Sequence, residues 1–212
     1  MHFQDRKQAG LQLAEYLIQL DNQPDTVVLG LPRGGVPVAY PIAQQLQLPL
    51  DTFLVRKIGA PGHEEFAMGA IADKNVCLLR YDLIERLGVS QQALDSIIEK
   101  EREELVRRQQ KYRGDKSLTY LRGKTVILVD DGIATGATME AAIQALRSLD
   151  VGKIILAVPV ASADSIQYLK PLVEQVVCLT MPDNFKAVGQ WYRVFDQTSD
   201  EEVCQLLSKF QE

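Results

Sequence analysis

Six short apolar, β-branched runs recur along the chain: Thr26 to Leu29, Asp51 to Val55, Val76 to Leu79, Thr125 to Val129, Ile154 to Val158 and Gln175 to Leu179. Each has the length and residue types of a strand. Between most of them apolar residues return every three or four positions, which predicts helices over 5–20, 36–47, 138–149 and 164–173, with a last one near 199–210. Alternation of this kind predicts an α/β fold, a mostly parallel sheet with helices on both faces. Ligands of such sheets gather beyond the carboxyl ends of the strands. Two stretches break the pattern. Residues 90–112 read as a helix starting at Ser90, with Leu94, Ile97, Ile98 and Leu105 on one side and Glu103–Arg107 and Glu104–Arg108 pairs on a solvated face. Residues 56–70, RKIGAPGHEEFAMGA, are rich in Gly and Pro and read as a long mobile loop or an irregular hairpin, placed where a lid would be.

Composition narrows the class. The 212 residues, 46% hydrophobic and 24% charged, suit one globular domain or one domain with a small subdomain. A formal charge of −5 argues against a broad nucleic-acid surface, so an anionic ligand must be held by a local site. Cys77, Cys178 and Cys204 form no CxxC, which suggests neither a zinc site nor a disulfide framework and fits a reducing cytoplasm. The polar N-terminus and the lack of any apolar run near about 18 residues predict a cytoplasmic protein with no membrane partner.

The candidate chemistry lies in VILVDDGIATGATME, residues 126–140. Adjacent carboxylates at a strand end repel each other and lose hydration, so they need cationic or hydroxyl partners. A carboxylate offers only acceptors, which suits the two donors of a vicinal diol, a hydrated Mg²⁺, or both. In Gly132 to Thr138 the side chains are small enough for backbone N–H groups to converge on an anion, Thr135 and Thr138 add hydroxyls, and a helix follows at once. A diol grip followed by a phosphate cradle describes a 5-phosphoribosyl group. A second glycine-rich turn between a strand and a helix, LGLPRGGVPVA at 29–39, joins Gly34 and Gly35 to the permanent charge of Arg33, a combination suited to pyrophosphate. Other phosphate motifs fail. GKT at 123–125 precedes its strand and has Leu118 where a Walker loop needs Gly, and Pro32 stands at the second glycine of a would-be GxGxxG. The later strand ending in Val158 and Pro159 carries no phospho-acceptor Asp, against a receiver domain, and neither GxSxG nor HExxH occurs.

VILVDDGIATGAT resembles the signature of the type I phosphoribosyltransferases, and the chain is similar to bacterial members whose acceptor is unsettled. The resemblance implies a single domain over 1–212, with a Rossmann-like core at about 24–181, a helical insertion at about 80–118 and a C-terminal hood at about 183–212. It implies a donor, 5-phosphoribosyl 1-pyrophosphate (PRPP), used with Mg²⁺ that Asp130 and Asp131 reach through water and PRPP. Asp130 and Asp131 would hold the ribose hydroxyls and act in catalysis, with Gly132, Ile133, Ala134, Thr135, Gly136, Ala137 and Thr138 completing the PRPP site. Pro32, Arg33, Gly34 and Gly35 would receive pyrophosphate, with a cis Pro32–Arg33 peptide. Arg56, Lys57 and His63 are similar to the lid cations of the orotate-using branch, where Arg56 and Lys57 would meet pyrophosphate and Lys57 and His63 would join catalysis. Phe185 and Trp191, with Tyr192 beside them, form a candidate stacking wall for the acceptor base, and Tyr112 and Arg113 are a second candidate. Ala134 stands where the 6-oxopurine branch usually has Asp, which disfavours hypoxanthine and guanine. A homodimer that transfers the group to a nitrogen base is the implied function. A PRPP or nucleotide sensor without turnover is the alternative.

Overall fold

A computed structural model of the chain describes residues 2–72, 76–114 and 116–210, and for 63–66 the backbone alone. Five strands form the central sheet: β1 (Thr26–Gly30), β2 (Leu50–Thr52), β6 (Thr125–Val129), β7 (Lys153–Val160) and β8 (Gln175–Thr180), in the order β2-β1-β6-β7-β8. Every neighbouring pair is parallel. The periodicity explains this. TVVLG of β1 is buried throughout, and so are the last four residues of TVILV in β6, as expected for strands covered on both faces. Val28, Ile127, Val129 and Ile155 enter one core with α1 (Arg6–Glu15), α2 (Gly35–Gln45) and α7 (Asp200–Ser208). Val27, Leu29, Val126, Leu128 and Leu156 enter the other with α5 (Ala137–Ser148) and α6 (Ala163–Leu169).

The second and third predicted strands behave differently. Asp51 to Val55 is not one strand: β2 ends at Thr52, Phe53 and Leu54 turn inward as core residues, and β3 (Val55–Ala60) begins a separate sheet. Residues 56–70 form the irregular hairpin, β3 against β4 (His63–Ala72), with register shifts between Ile58 and Ala60. Val76 to Leu79 is a strand, β5, but it pairs antiparallel with β4 instead of joining the parallel sheet.

Past α3 (Tyr81–Arg86), the insertion helix α4 (Gln91–Arg113) starts where Ser90 caps the Ala93 N–H (3.2 Å). Its expected charge pattern needs one correction. Glu104 does pair with Arg108 (2.7 Å), yet Arg107 also turns to Glu104 (2.8 Å) and not to Glu103. The N-terminal segment is joined to the segment preceding α7: Phe3 bridges to Tyr192 in parallel, its N–H donating to the Trp191 carbonyl (2.8 Å) while its own carbonyl accepts from Arg193 (2.9 Å). No helix among the described residues is long and apolar enough to cross a membrane.

Candidate active site

Register brings the two sequence motifs together. Gly30 lies beside Val129 across β1 and β6, and the Leu31 N–H donates to the Val129 carbonyl (2.9 Å), so both loops leave the sheet side by side. The acidic pair opens the second loop. The Asp131 N–H donates to Asp130 Oδ1 (2.8 Å), and Asp131 Oδ2 accepts from Arg6 Nε (2.8 Å). Each carboxylate thus commits one oxygen to the protein. Asp130 Oδ2 and Asp131 Oδ1 accept no hydrogen bond among the described residues. Burial pushes the Asp130 carboxyl well above the usual range, and the neighbouring Asp131 charge adds to the shift. Burial raises Asp131 as well, against the opposing pull of Arg6.

The glycines of the first loop are required by this crowding. A Cβ on Gly34 would stand 2.0 Å from Asp131 Oδ2, and one on Gly35 would stand 2.6 Å from the Val129 carbonyl oxygen. The Pro32–Arg33 peptide is cis. Arg33 lies 3.9 Å from Asp200, a residue that also takes Lys111 (3.1 Å) and the Tyr112 hydroxyl. Those last two donors, Tyr112 foremost, hold the Asp200 carboxyl below its ordinary range.

The second loop is braced from behind. The Ala134 carbonyl accepts Ser165 Oγ (2.6 Å) and Ser162 Oγ (2.9 Å), and the Ile133 N–H donates to Val160 (2.9 Å). Gly136, with φ +79°, turns the loop into α5 in a conformation that side chains disfavour. The front of the loop opens on a cavity of about 180 Å³ lined by Asp130, residues 132–139 and Val188. Val188 closes the roof: its Cγ1 would lie 2.5 Å from a Cβ on Gly132.

Beside it, between the β3–β4 hairpin and α4, runs a larger cleft of about 640 Å³ whose wall includes Pro32, Arg56, Lys57, Lys100, Arg108 and Thr138. Arg56 and Lys57 therefore share a cleft with the two loops, and Arg56 is held by Glu101 of α4 (2.6 Å). His63 begins β4 opposite Ala60, and its side chain lies outside the described residues. Phe185 and Trp191 do not line the 180 Å³ cavity. They pack on a small apolar cluster with Phe3 and Tyr192, and the His2 imidazole stacks on Trp191 with centroids 5.1 Å apart. Tyr112 and Arg113 are committed to the protein itself: Tyr112 to Asp200, and Arg113 to Asp51 (3.0 Å), which also accepts the Tyr120 hydroxyl (2.7 Å). Sequence reasoning missed Arg6, Val188, Ser162 and Ser165. Only the N-capping position of Ser162 left a local trace, and the others meet the site through contacts distant in sequence.

The chain is similar to known proteins over almost its whole length. The family model described as the phosphoribosyl transferase domain matches residues 3–195. A protein of Mycobacterium tuberculosis H37Rv, provisionally named a phosphoribosyl transferase, is 45% identical over 207 residues, covering 98% of this chain and 46% of that protein. The chain spans about half the length of the curated relatives it matches. The crystal structure of TT1426 from Thermus thermophilus superimposes with a TM-score of 0.86 at 39% identity, over 99% of each chain. A hypoxanthine phosphoribosyltransferase from Staphylococcus aureus shares the fold at a TM-score of 0.51 and 13% identity, over 87% of this chain and 78% of that one. With the family model running through both loops and almost the whole length, the chain belongs to the phosphoribosyl transferase domain family.

Proposed function

We propose that this site transfers the 5-phosphoribosyl group of PRPP to a ring nitrogen of a nucleobase or related small acceptor, releasing pyrophosphate. The observation that carries the proposal is the pair of uncommitted oxygens, one on Asp130 and one on Asp131, set between a glycine-walled loop and a cradle opening a helix. Two acceptors on adjacent residues match the two donors of a ribose diol. The cradle at 132–138 takes the 5′-phosphate, held by N–H groups at the start of α5. The loop from Pro32 to Gly35 takes the pyrophosphate, with Arg33 as its cation.

In the reaction, the C1–O bond to pyrophosphate breaks and the electron pair departs with the leaving group. The acceptor nitrogen then supplies its lone pair to C1 and passes its proton to solvent or to the departing pyrophosphate. Cleavage running ahead of bond formation leaves positive charge on the ribose, which the two carboxylates stabilise. Arg33 of the first loop, and Arg56 and Lys57 on the wall of the larger cleft, would offset charge growing on the leaving group. His63 at the start of the hairpin's second strand belongs to the same proposed lid. Among the described residues no group of three or more His, Cys, Asp or Glu could hold a metal by itself. Two carboxylates with one open oxygen each fit Mg²⁺ bound chiefly through substrate phosphates and water. When bound there it supplies charge neutralisation for pyrophosphate. Ala134 presents no carboxylate to a purine N7, so adenine, orotate and other small acceptors are favoured over 6-oxopurines. Phe185 and Trp191, packed in the same cluster as Val188, would support the hood behind it and reach the acceptor only through Val188. The same proposal includes a cytoplasmic homodimer, which light scattering would detect as twice 23.7 kDa.

The test is pyrophosphate release on incubation of the protein with PRPP, Mg²⁺ and a panel of bases. Release with at least one base is expected. Tight PRPP binding with no release from any base would sink the enzyme reading and leave a sensor. Asp131→Asn should abolish PRPP binding and keep the fold by circular dichroism, whereas retained binding would show that the ribose is gripped elsewhere.

A further inference from the structure

Arg6 lies 125 residues from Asp131 in sequence, yet its guanidinium is built into the site from three directions. Nε donates to Asp131 Oδ2 (2.8 Å), one terminal nitrogen donates to the Asp196 carbonyl (2.7 Å), and the plane lies over the Phe195 ring at 4.0 Å from its centre. The Arg6 and Asp131 side chains are only 13% and 15% exposed. A Cβ on Gly34 would come within 3.2 Å of the same Nε, so Arg6 stands where the proposed pyrophosphate loop, the acidic pair and the segment at 195–196 meet. Its own position is set twice. Asp5 caps the first turn of α1 through the Gln8 N–H (2.8 Å), and the preceding residues are zipped to 191–194 by backbone hydrogen bonds.

The consequence concerns which oxygen of Asp131 faces a ligand. Oδ2 is enclosed by Arg6 and by the backbone at Gly34, where nothing larger than hydrogen fits. Tyr192 fixes the other end of the residue, its hydroxyl donating to the Asp131 carbonyl (2.6 Å). Oδ1 is left as the oxygen free to accept. A planar, always-charged fork can hold a carboxylate in one orientation while stacking on an aromatic face, a combination a lysine ammonium cannot supply.

We infer that Arg6 is a positioning residue for the ribose grip: it clamps Asp131 Oδ2 so that Oδ1 meets a sugar hydroxyl, and it couples that grip to the hood through Phe195 and Asp196. The inference rests on reading Asp131 as half of the diol grip. Arg6 touches neither the phosphate cradle nor the proposed leaving-group cation, so its loss weakens recognition of the sugar and spares recognition of phosphate.

Titration calorimetry of the full chain with two probes, PRPP with Mg²⁺ and inorganic phosphate alone, tests this. Arg6→Met should weaken PRPP about tenfold or more, equivalent to about 1.4 kcal/mol, and leave phosphate affinity within about twofold. Arg6→Lys should recover part of the loss, because charge returns without the fork. Should Arg6→Met fail to fold, Phe195→Leu removes the stacking face while leaving the ion pair, and the same selective loss is expected at smaller size. Arg6→Met, or Phe195→Leu in its place, binding PRPP as tightly as wild type overturns the inference and leaves the donor reading intact. Parallel loss of PRPP and phosphate also overturns it, since that marks general loosening. Wild-type protein that binds phosphate but not PRPP overturns the donor reading itself and Arg6's role with it.

Discussion

Gly34 offers the sharpest substitution at the scale of single residues. Its missing side chain leaves room for Asp131 Oδ2, which a Cβ would approach to 2.0 Å, and for Arg6 Nε at 3.2 Å. The extra methyl of Gly34→Ala is not easily absorbed by a flexible tip, because Arg6 holds the same oxygen at 2.8 Å and itself stands in the methyl's way. Overpacking of this kind costs about 1–3 kcal/mol and displaces whichever group yields most easily. The expected outcome is at least a tenfold weaker PRPP affinity by calorimetry, with a cooperative thermal transition preserved. Wild-type affinity would mean that Asp131 can move freely and is not a fixed acceptor. The contrast between Gly34 and Arg6 marks how far the site could be read from the chain. The acidic pair and the cradle are contiguous, so residue types and spacing carried their chemistry. Arg6 and Val188 lie in unremarkable sequence, and their roles exist only because the N-terminal segment and the segment around 188–196 meet beside the β6 loop.

Among the elements, the hairpin of β3 and β4 joins the sheet region to α4. A polar anchor at the cleft is Arg56, whose guanidinium meets Glu101 at 2.6 and 2.7 Å, with the Arg33-bearing loop represented on the same wall by Pro32. Arg56 is 33% exposed at the side chain, so the pair is partly solvated and contributes only about 0–1 kcal/mol to stability. Its effect should be local. Glu101→Gln is expected to shift the melting temperature little, while amide exchange along Val55–Ala60 quickens and is slowed again by PRPP with Mg²⁺. Unchanged exchange would show that the hairpin is held by its apolar contacts, Ile58 and Met68 above all, and not by the ion pair. Element by element, the parallel sheet was legible because its central strands β1, β6 and β7 are almost wholly buried and read as unbroken apolar runs. The small antiparallel sheet was not. Val76 to Leu79 is a four-residue run only partly covered by the core, and such a run says nothing of which strand it will join. Likewise Asp51 to Val55 looked continuous because Phe53 and Leu54, which leave the sheet to fill the cores, are as apolar as strand residues.

For the molecule as a whole, the acidic pair is a cost that folding must carry. The Asp130 carboxyl is desolvated at its half-buried position and stands beside a second carboxylate, and both effects disfavour its charged form. Its folded pKa is therefore above that of the unfolded chain, ordinarily about 3.9 for Asp. Between those two values the folded state binds more protons than the unfolded one, so stability falls as pH rises through that window and stays reduced above it. Asp130→Asn keeps the shape and an oxygen that can accept the Asp131 N–H, and it removes the charge. Thermal denaturation in EDTA should then show the variant more stable than wild type at pH 7, by about 2–4 °C for each kcal/mol relieved in a chain of this size. The difference should shrink toward zero as pH approaches about 4, where wild-type Asp130 is protonated in the folded state. PRPP binding should fall in the same variant, because an amide offers one acceptor and a pair of donors to a sugar that needs acceptors. A variant no more stable at pH 7, or one whose advantage is the same at pH 4, would show that other contacts already compensate the pair. The charge would then no longer count as stability surrendered for ligand recognition.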